Sequence, residues 1–192
     1  MIPNQFIDRT QGRPASFFGE GAVAHVAFAE PFCATLSGLL GDAVQAVLPE
    51  GRRLHLGGTY LCMQGPAFST KAESELYRSW GCDVIGMTNH TEARLAREAE
   101  IAYSTLAMVT DYDCWHPDHD AVTVEMVINN LRANATTAQQ VVRHAVQAIE
   151  QQKPASPAHS ALQNGLLTAP AAVPAATPVS YTHLTLPTNR EV

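Results

Sequence analysis

The sequence predicts an α/β layer fold with a largely parallel central sheet, and three observations carry that expectation. Segments of helical and strand-like apolar spacing alternate through about the first 150 residues. Helix punctuation falls between them: Pro49 and Gly51 close one helix, and Thr70 with Glu73 three residues on forms a capping box that opens another. The loops after the strand-like segments are polar and aromatic, as expected where ligands sit beyond the carboxyl ends of strands.

Taken in order, Ala22–Phe28 reads as a short strand. Leu36, Leu39, Leu40, Ala43, Val44 and Val47 recur at helical spacing. Leu54–Met63 reads as a strand, with Gly57-Gly58 marking a bulge or a close backbone approach. The capping box opens a helix reaching about Trp80. Val84–Met87 reads as a short buried strand, Thr91–Glu98 as a short helix, and Ile101–Val109 as a longer strand, apolar enough to be central. A loop from Thr110 to about Ala121 follows. The last helix spans about Thr123 to Ile149, with Val127, Ile128, Leu131, Ala138, Val141, Val142, Ala145 and Ile149 on its buried side.

The chain has 192 residues, enough for one domain with a real core. Residues 1–152 read as the body of that domain and 153–169 as its weakly ordered C-terminal segment. Residues 170–192 read as a disordered or foreign tail. Thr168–Ser180 contains only Ala, Pro, Val, Thr and Ser, too little apolar bulk to offset the entropy of ordering. Net charge is −6 with no basic cluster, which argues against a nucleic-acid partner. No apolar run approaches a membrane span of about 18 residues. The four cysteines show no paired spacing, as in reduced intracellular proteins, and the N-terminus has no signal-peptide pattern. A cytoplasmic location is the expectation.

Asp111 and Asp113 leave a strand-like segment beside Trp115. Two carboxyls next to an aromatic can divide roles, one a neutral donor and the other an ionised acceptor; the same pair also suits capping of the loop and the following helix. Thr88 stands near a helix start, where a hydroxyl and free N–H groups hold anions or simply cap the helix. Phe68 follows a Gly-Pro turn and suits either a stacking platform or the core. Cys114, His116, Asp118, His119 and Asp120 are polar, but their spacing is poor for a metal site. His25 sits in an apolar stretch, where a lone histidine is usually a core residue, although its ring can also face a ligand or a neighbouring subunit.

Five segments together resemble one family. Asn4-Gln5-Phe6-Ile7-Asp8-Arg9-Thr10, Ala29-Glu30-Pro31-Phe32-Cys33, Gln64-Gly65-Pro66-Ala67-Phe68-Ser69, Met87-Thr88 and Thr110-Asp111-Tyr112-Asp113-Cys114-Trp115 are similar, in order and separation, to motifs of the methylthioadenosine phosphorylases. These form part of the trimeric branch of the purine nucleoside phosphorylase superfamily. The resemblance covers roughly residues 4 to 170.

The resemblance implies the C-terminal part of the phosphorylase fold, a mixed central sheet flanked by helices with its first strands missing. It implies a pentosyltransferase of purine and methionine salvage. Phosphate attacks C1′ of 5′-methylthioadenosine, releasing adenine and 5-methylthioribose 1-phosphate, with phosphate as co-substrate and no cofactor or metal. Asp111 would donate toward the purine N7 and Asp113 would support it while accepting from the 6-amino group. Phe68 would stack on the base, Met87 would lie against the ribose and Thr88 would bind phosphate. Val124, Val127 and Ile128 would line the methylthio pocket. His25 would reach a nucleoside in the adjacent subunit of a homotrimer. The Gly-rich start and Arg-His pair of the family's phosphate site have no counterpart before Asn4, so the chain is expected to be N-terminally truncated and impaired alone. The alternatives are a 6-oxopurine or methylthioinosine phosphorylase, and a non-catalytic nucleoside-binding or trimer-interface module.

Overall fold

A computed structural model describes residues 1–19, 21–116 and 124–174. Its centre is a three-stranded parallel sheet in the order β1 (Gln5–Asp8), β2 (Thr59–Cys62) and β3 (Cys82–Gly86). Parallel neighbours need long crossovers. Helix α1 (Ala34–Val47) lies in the connection from β1 to β2, and α2 (Lys71–Ser79) in that from β2 to β3. Helices α3 (His90–Glu98) and α4 (Val124–Gln152) follow. All three strands therefore point their carboxyl ends the same way, and the loops at residues 9–13, 63–70 and 87–89 gather at one edge.

The local signals act where they were expected. The Thr70 hydroxyl accepts from Glu73 N at 3.2 Å, and the Glu73 carboxylate accepts from Thr70 N at 2.8 Å. The Thr70 N bond, and after it the Thr70 hydroxyl donating to the same carboxylate at 2.9 Å, hold the Glu73 carboxyl below its usual range. The register between β2 and β3 breaks between Thr59 and Tyr60, beside the Gly57-Gly58 pair. Gly58 has φ +102°, and a β-carbon there would lie 2.7 Å from Asp83 Oδ2. That carboxylate accepts from Thr59 N at 2.8 Å, so the backbone approach is tied to the irregularity.

Three expectations need correction. Ile101–Val109 is not a central strand: residues 101–110 have no regular structure. A strand needs a neighbour along its length. Here the backbone ties are scattered, with Ala107 exchanging bonds with Met1 at 2.8 and 2.9 Å and Tyr103 O accepting from Cys33 N at 2.8 Å, and Ile101 and Val109 stay at least half exposed. Ala22–Phe28 is not a strand beyond one antiparallel bridge from Ala24 to Leu166. The carbonyls of Ala27 and Glu30 accept from Arg97 at 2.6 and 2.5 Å, taking the place of ladder bonds. Conversely, β1 forms where no strand was expected. Four residues are too few to show a period, and the pairing with β2 (Phe6 opposite Tyr60) makes it a strand.

The core joins Ala43 and Val44 of α1, Val141 and Ala145 of α4, and Ile2. Val141 and Ala145 are four apart and share one helix face. The rest of the expected stripe is narrower than thought: Ile128, Leu131 and Val142 are 42%, 50% and 54% exposed, because no described element lies over them. Residues 162–168 dock on 22–25, with His25 N donating to Gly165 O at 2.7 Å and Leu167 N to Val23 O at 2.9 Å. Residues 175–192, most of the segment read as a tail, lie outside the described residues.

Candidate active site

The loops beyond β2 and β3 face the segment that enters residues 110–116 across an open cleft of about 1770 Å³. Phe68, Met87, Thr88, Asp111 and Asp113 all line it. These five come from three separate loops along the wall of this long cleft.

Asp113 is held firmly. Its Oδ2 accepts a short hydrogen bond from the Ser74 hydroxyl, and its Oδ1 accepts from Cys114 N at 2.8 Å. Ser74 is buried on α2, and Arg78, one turn on, places its guanidinium 3.6 Å from the Trp115 ring centroid. Cys114 Sγ donates to Ser69 O at 3.7 Å. One face of α2 thus braces the loop, a role that ordinary helical polar residues do not announce in sequence. Asp111 is exposed, and its Oδ2 accepts from Thr110 Oγ1 at 2.6 Å. Two asparagines of α4 fix the approach to it: Asn130 donates to Thr110 O at 2.8 Å and Asn134 to Val109 O at 3.0 Å. Tyr112, which also lines the cleft, stacks on His116 with ring centroids 4.3 Å apart.

Phe68 is 85% exposed and stands free over the cleft. Met87 is half-buried against the Gly-Pro turn. Gly65 has φ +68°, and a β-carbon there would lie 2.7 Å from Met87 Sδ, so only glycine lets the thioether approach. Thr88 directly precedes the α3 N-cap, which is Asn89. Cys62 Sγ donates to Thr88 O at 2.9 Å. Burial pushes the Cys62 thiol up, which keeps it a protonated donor. Asn89 has φ +95°, and its Oδ1 accepts from Tyr103 at 3.0 Å and Thr105 at 2.7 Å.

Beneath this turn, buried His90 lies 3.2 Å from Thr10 Oγ1 through Nδ1. Its Nε2 is 3.0 Å from Asp8 Oδ2, close in distance but outside hydrogen-bond geometry. Burial pushes the His90 pKa down, and the Asp8 charge opposes this only in part.

The remaining expected residues lie elsewhere. Val127 is half-buried and Ile128 exposed on the first turns of α4, and neither lines the cleft. The side chain of Val124 lies outside what is described, as do Asp118, His119 and Asp120 of the metal alternative. His25 is exposed beside the Ala24–Leu166 bridge, away from the cleft. No helix among the described residues is long and apolar enough to cross a membrane.

A parallel α/β sheet with a long open cleft that reaches its carboxyl edge, lined there by two aspartates and an exposed aromatic, fits a class that binds small ligands between loops. The family model for the phosphorylase superfamily matches residues 1–147, and the chain belongs to that superfamily. It is 61% identical over 168 residues to the S-methyl-5′-thioadenosine phosphorylase of Prochlorococcus marinus, covering 88% of this chain and 54% of that one. It is 58% identical over 178 residues to that of Gloeobacter violaceus, covering 92% and 60%. A methylthioadenosine phosphorylase crystal structure from an antarctic soil metagenomic library superposes with TM-score 0.92 at 48% identity, covering 96% of this chain and 64% of that one. The Schistosoma mansoni methylthioadenosine phosphorylase, solved with adenine, gives 0.72 at 31% identity, covering 79% and 58%. The chain thus spans between about half and two thirds of the length of these relatives.

Proposed function

We propose that the complete protein carrying this chain cleaves S-methyl-5′-thioadenosine with phosphate, giving adenine and 5-methylthioribose 1-phosphate. One observation supports this above others: Phe68, Met87, Thr88, Asp111 and Asp113 converge on one cleft. The names of the relatives favour the same substrate.

In this reading, negative charge develops on the departing purine as the glycosidic bond breaks. Asp111, exposed to the cleft, donates toward N7, an effect worth about 10²–10⁴ in rate. Asp113 accepts from the 6-amino group. Its two oxygens already hold Ser74 and Cys114 N, and the remaining lone pairs suit a further donor. Phe68 stacks on the base, Met87 packs against the ribose and Thr88 takes phosphate at the start of α3. Phosphate is the co-substrate, and neither a cofactor nor a metal takes part. Val124, Val127 and Ile128 line the methylthio pocket, and His25 reaches a partner subunit's nucleoside in a homotrimer. These last roles rest on the family resemblance, and the exposure of His25 suits its part. The protein works in the cytoplasm.

The test is release of adenine from methylthioadenosine, with and without phosphate, by chromatography. Phosphate-dependent adenine release is expected. Absence of turnover, or turnover of inosine in preference, would contradict the assignment.

A further inference from the structure

We propose that Arg13 is a positioning residue for this site: it fixes the Met87–Thr88 peptide and ties it to the turn that carries Phe68. The proposal rests on the phosphorolysis reading. Arg13 lies in the loop after β1, far in sequence from both segments. Its Nη1 donates to the Met87 carbonyl. Its Nη2 donates to the Gln64 carbonyl at 2.6 Å, with the Met63 carbonyl at 3.5 Å. One planar group therefore spans the carboxyl ends of β2 and β3. Gln11 N donates to Gln64 Oε1 at 2.8 Å, so the same loop grips the turn a second time.

The consequence for Thr88 follows from peptide geometry. The peptide is planar and trans, so the Met87 C=O and the Thr88 N–H point in opposite directions. Holding the carbonyl sets where the N–H points. A guanidinium is always charged, and its hydrogen bonds to a carbonyl are stronger than neutral ones. Drawing electron density toward Met87 O also makes the Thr88 N–H a better donor to an anion. On the other flank, Cys62 holds the Thr88 carbonyl at 2.9 Å. The residue assigned to phosphate is thus fixed on both sides.

The fork geometry explains why arginine suits the place. Lysine is a point charge on a flexible stem and lacks the rigid fork that meets two separate segments at once. Among the described residues the hydrogen bonds of Arg13 go to main-chain carbonyls of the site, so it acts through the loops it joins.

The experiment uses the complete protein with Arg13→Ala, Arg13→Lys and Arg13→Gln. It measures kcat, the KM for phosphate and the KM for methylthioadenosine separately, with thermal unfolding alongside. A misplacement of about 1 Å can cost about a hundredfold in rate. Arg13→Ala is therefore expected to lose about a hundredfold in kcat/KM for phosphate, with a smaller rise in the KM for nucleoside through Met87 and Phe68. Lysine and glutamine should each recover less than about a tenth of wild-type kcat/KM, since neither restores the fork. Guanidinium ion at low millimolar concentration should raise the activity of Arg13→Ala and not that of the wild type. Variants within about threefold of wild type, or a lowered Tm with unchanged kinetic constants, would overturn the proposal. If Arg13→Ala does not fold, the lysine and glutamine variants decide by the same ratio. Failure of the wild type to release adenine would instead sink the functional reading, and that control is read first.

Discussion

The two sides of the cleft are built differently. The side formed by the β2 and β3 loops combines short-range devices, a capping box at Thr70 and a glycine at 65 that seats Met87, with one long-range tie, the Arg13 fork that joins the two loops. The side formed by residues 109–116 has no strand or helix of its own. It is held by long-range ties, from Ser74 and Arg78 of α2 and from Asn130 and Asn134 of α4. Local chemistry shapes much of the first wall. The second exists only once distant helices have docked, so its side chains are the more sensitive to changes elsewhere.

The largest effect should come from Asp111 in the second wall. Asp111→Asn keeps the shape and removes the proposed proton donor, so kcat should fall by about 10²–10⁴. Its one bond among the described residues is to Thr110, so the melting temperature should barely move. A matching loss of Tm would make Asp111 a structural cap instead.

Next comes the brace. Ser74→Ala removes the hydroxyl from Asp113 Oδ2. A bond to a charged group contributes about 1.5–3 kcal/mol, so stability measured in urea should fall by about that much. The kcat/KM for methylthioadenosine should drop about tenfold, one decade per 1.36 kcal/mol of lost transition-state stabilisation. If stability falls and kcat/KM holds, the two walls are not coupled in the way their contacts suggest.

The smallest effect concerns the first wall and pH. Burial lowers the His90 pKa below its ordinary 6.5. The unfolded chain then binds more protons, so stability is full above about pH 6.5 and falls as pH drops through the lowered folded value. The groups acting on His90 are Asp8, Arg94, Arg13 and Glu92. His90→Gln should flatten that part of the Tm–pH profile between about pH 7.5 and 5.5. An unchanged slope would assign the acid sensitivity to other groups.

The difference between the walls also governs what sequence reveals. The α2 cap was legible because Thr70 and Glu73 are three residues apart. Helix α3 was legible to within a residue, and the strand at β3 to within two. Ile101–Val109 was misleading because an apolar run reads as a strand whatever lies beside it, and pairing is a property of neighbours. β1 went unseen for the converse reason. Among the site residues, Asp111, Asp113, Phe68, Met87 and Thr88 stood out by motif, and the fold brings them to one cleft. Ser74, Arg78 and Arg13 did not stand out. Each meets its partner across at least 37 residues of chain, which no local spacing encodes.

The central claim is that the cleft reads a 6-amino purine nucleoside for phosphorolysis. Its most direct test is a competition between methylthioadenosine and inosine for the complete protein at fixed phosphate, following both free bases together. A site whose acceptors await an amino donor should favour methylthioadenosine by at least about a hundredfold in kcat/KM. Equal use of the two substrates, or preference for inosine, would contradict the account.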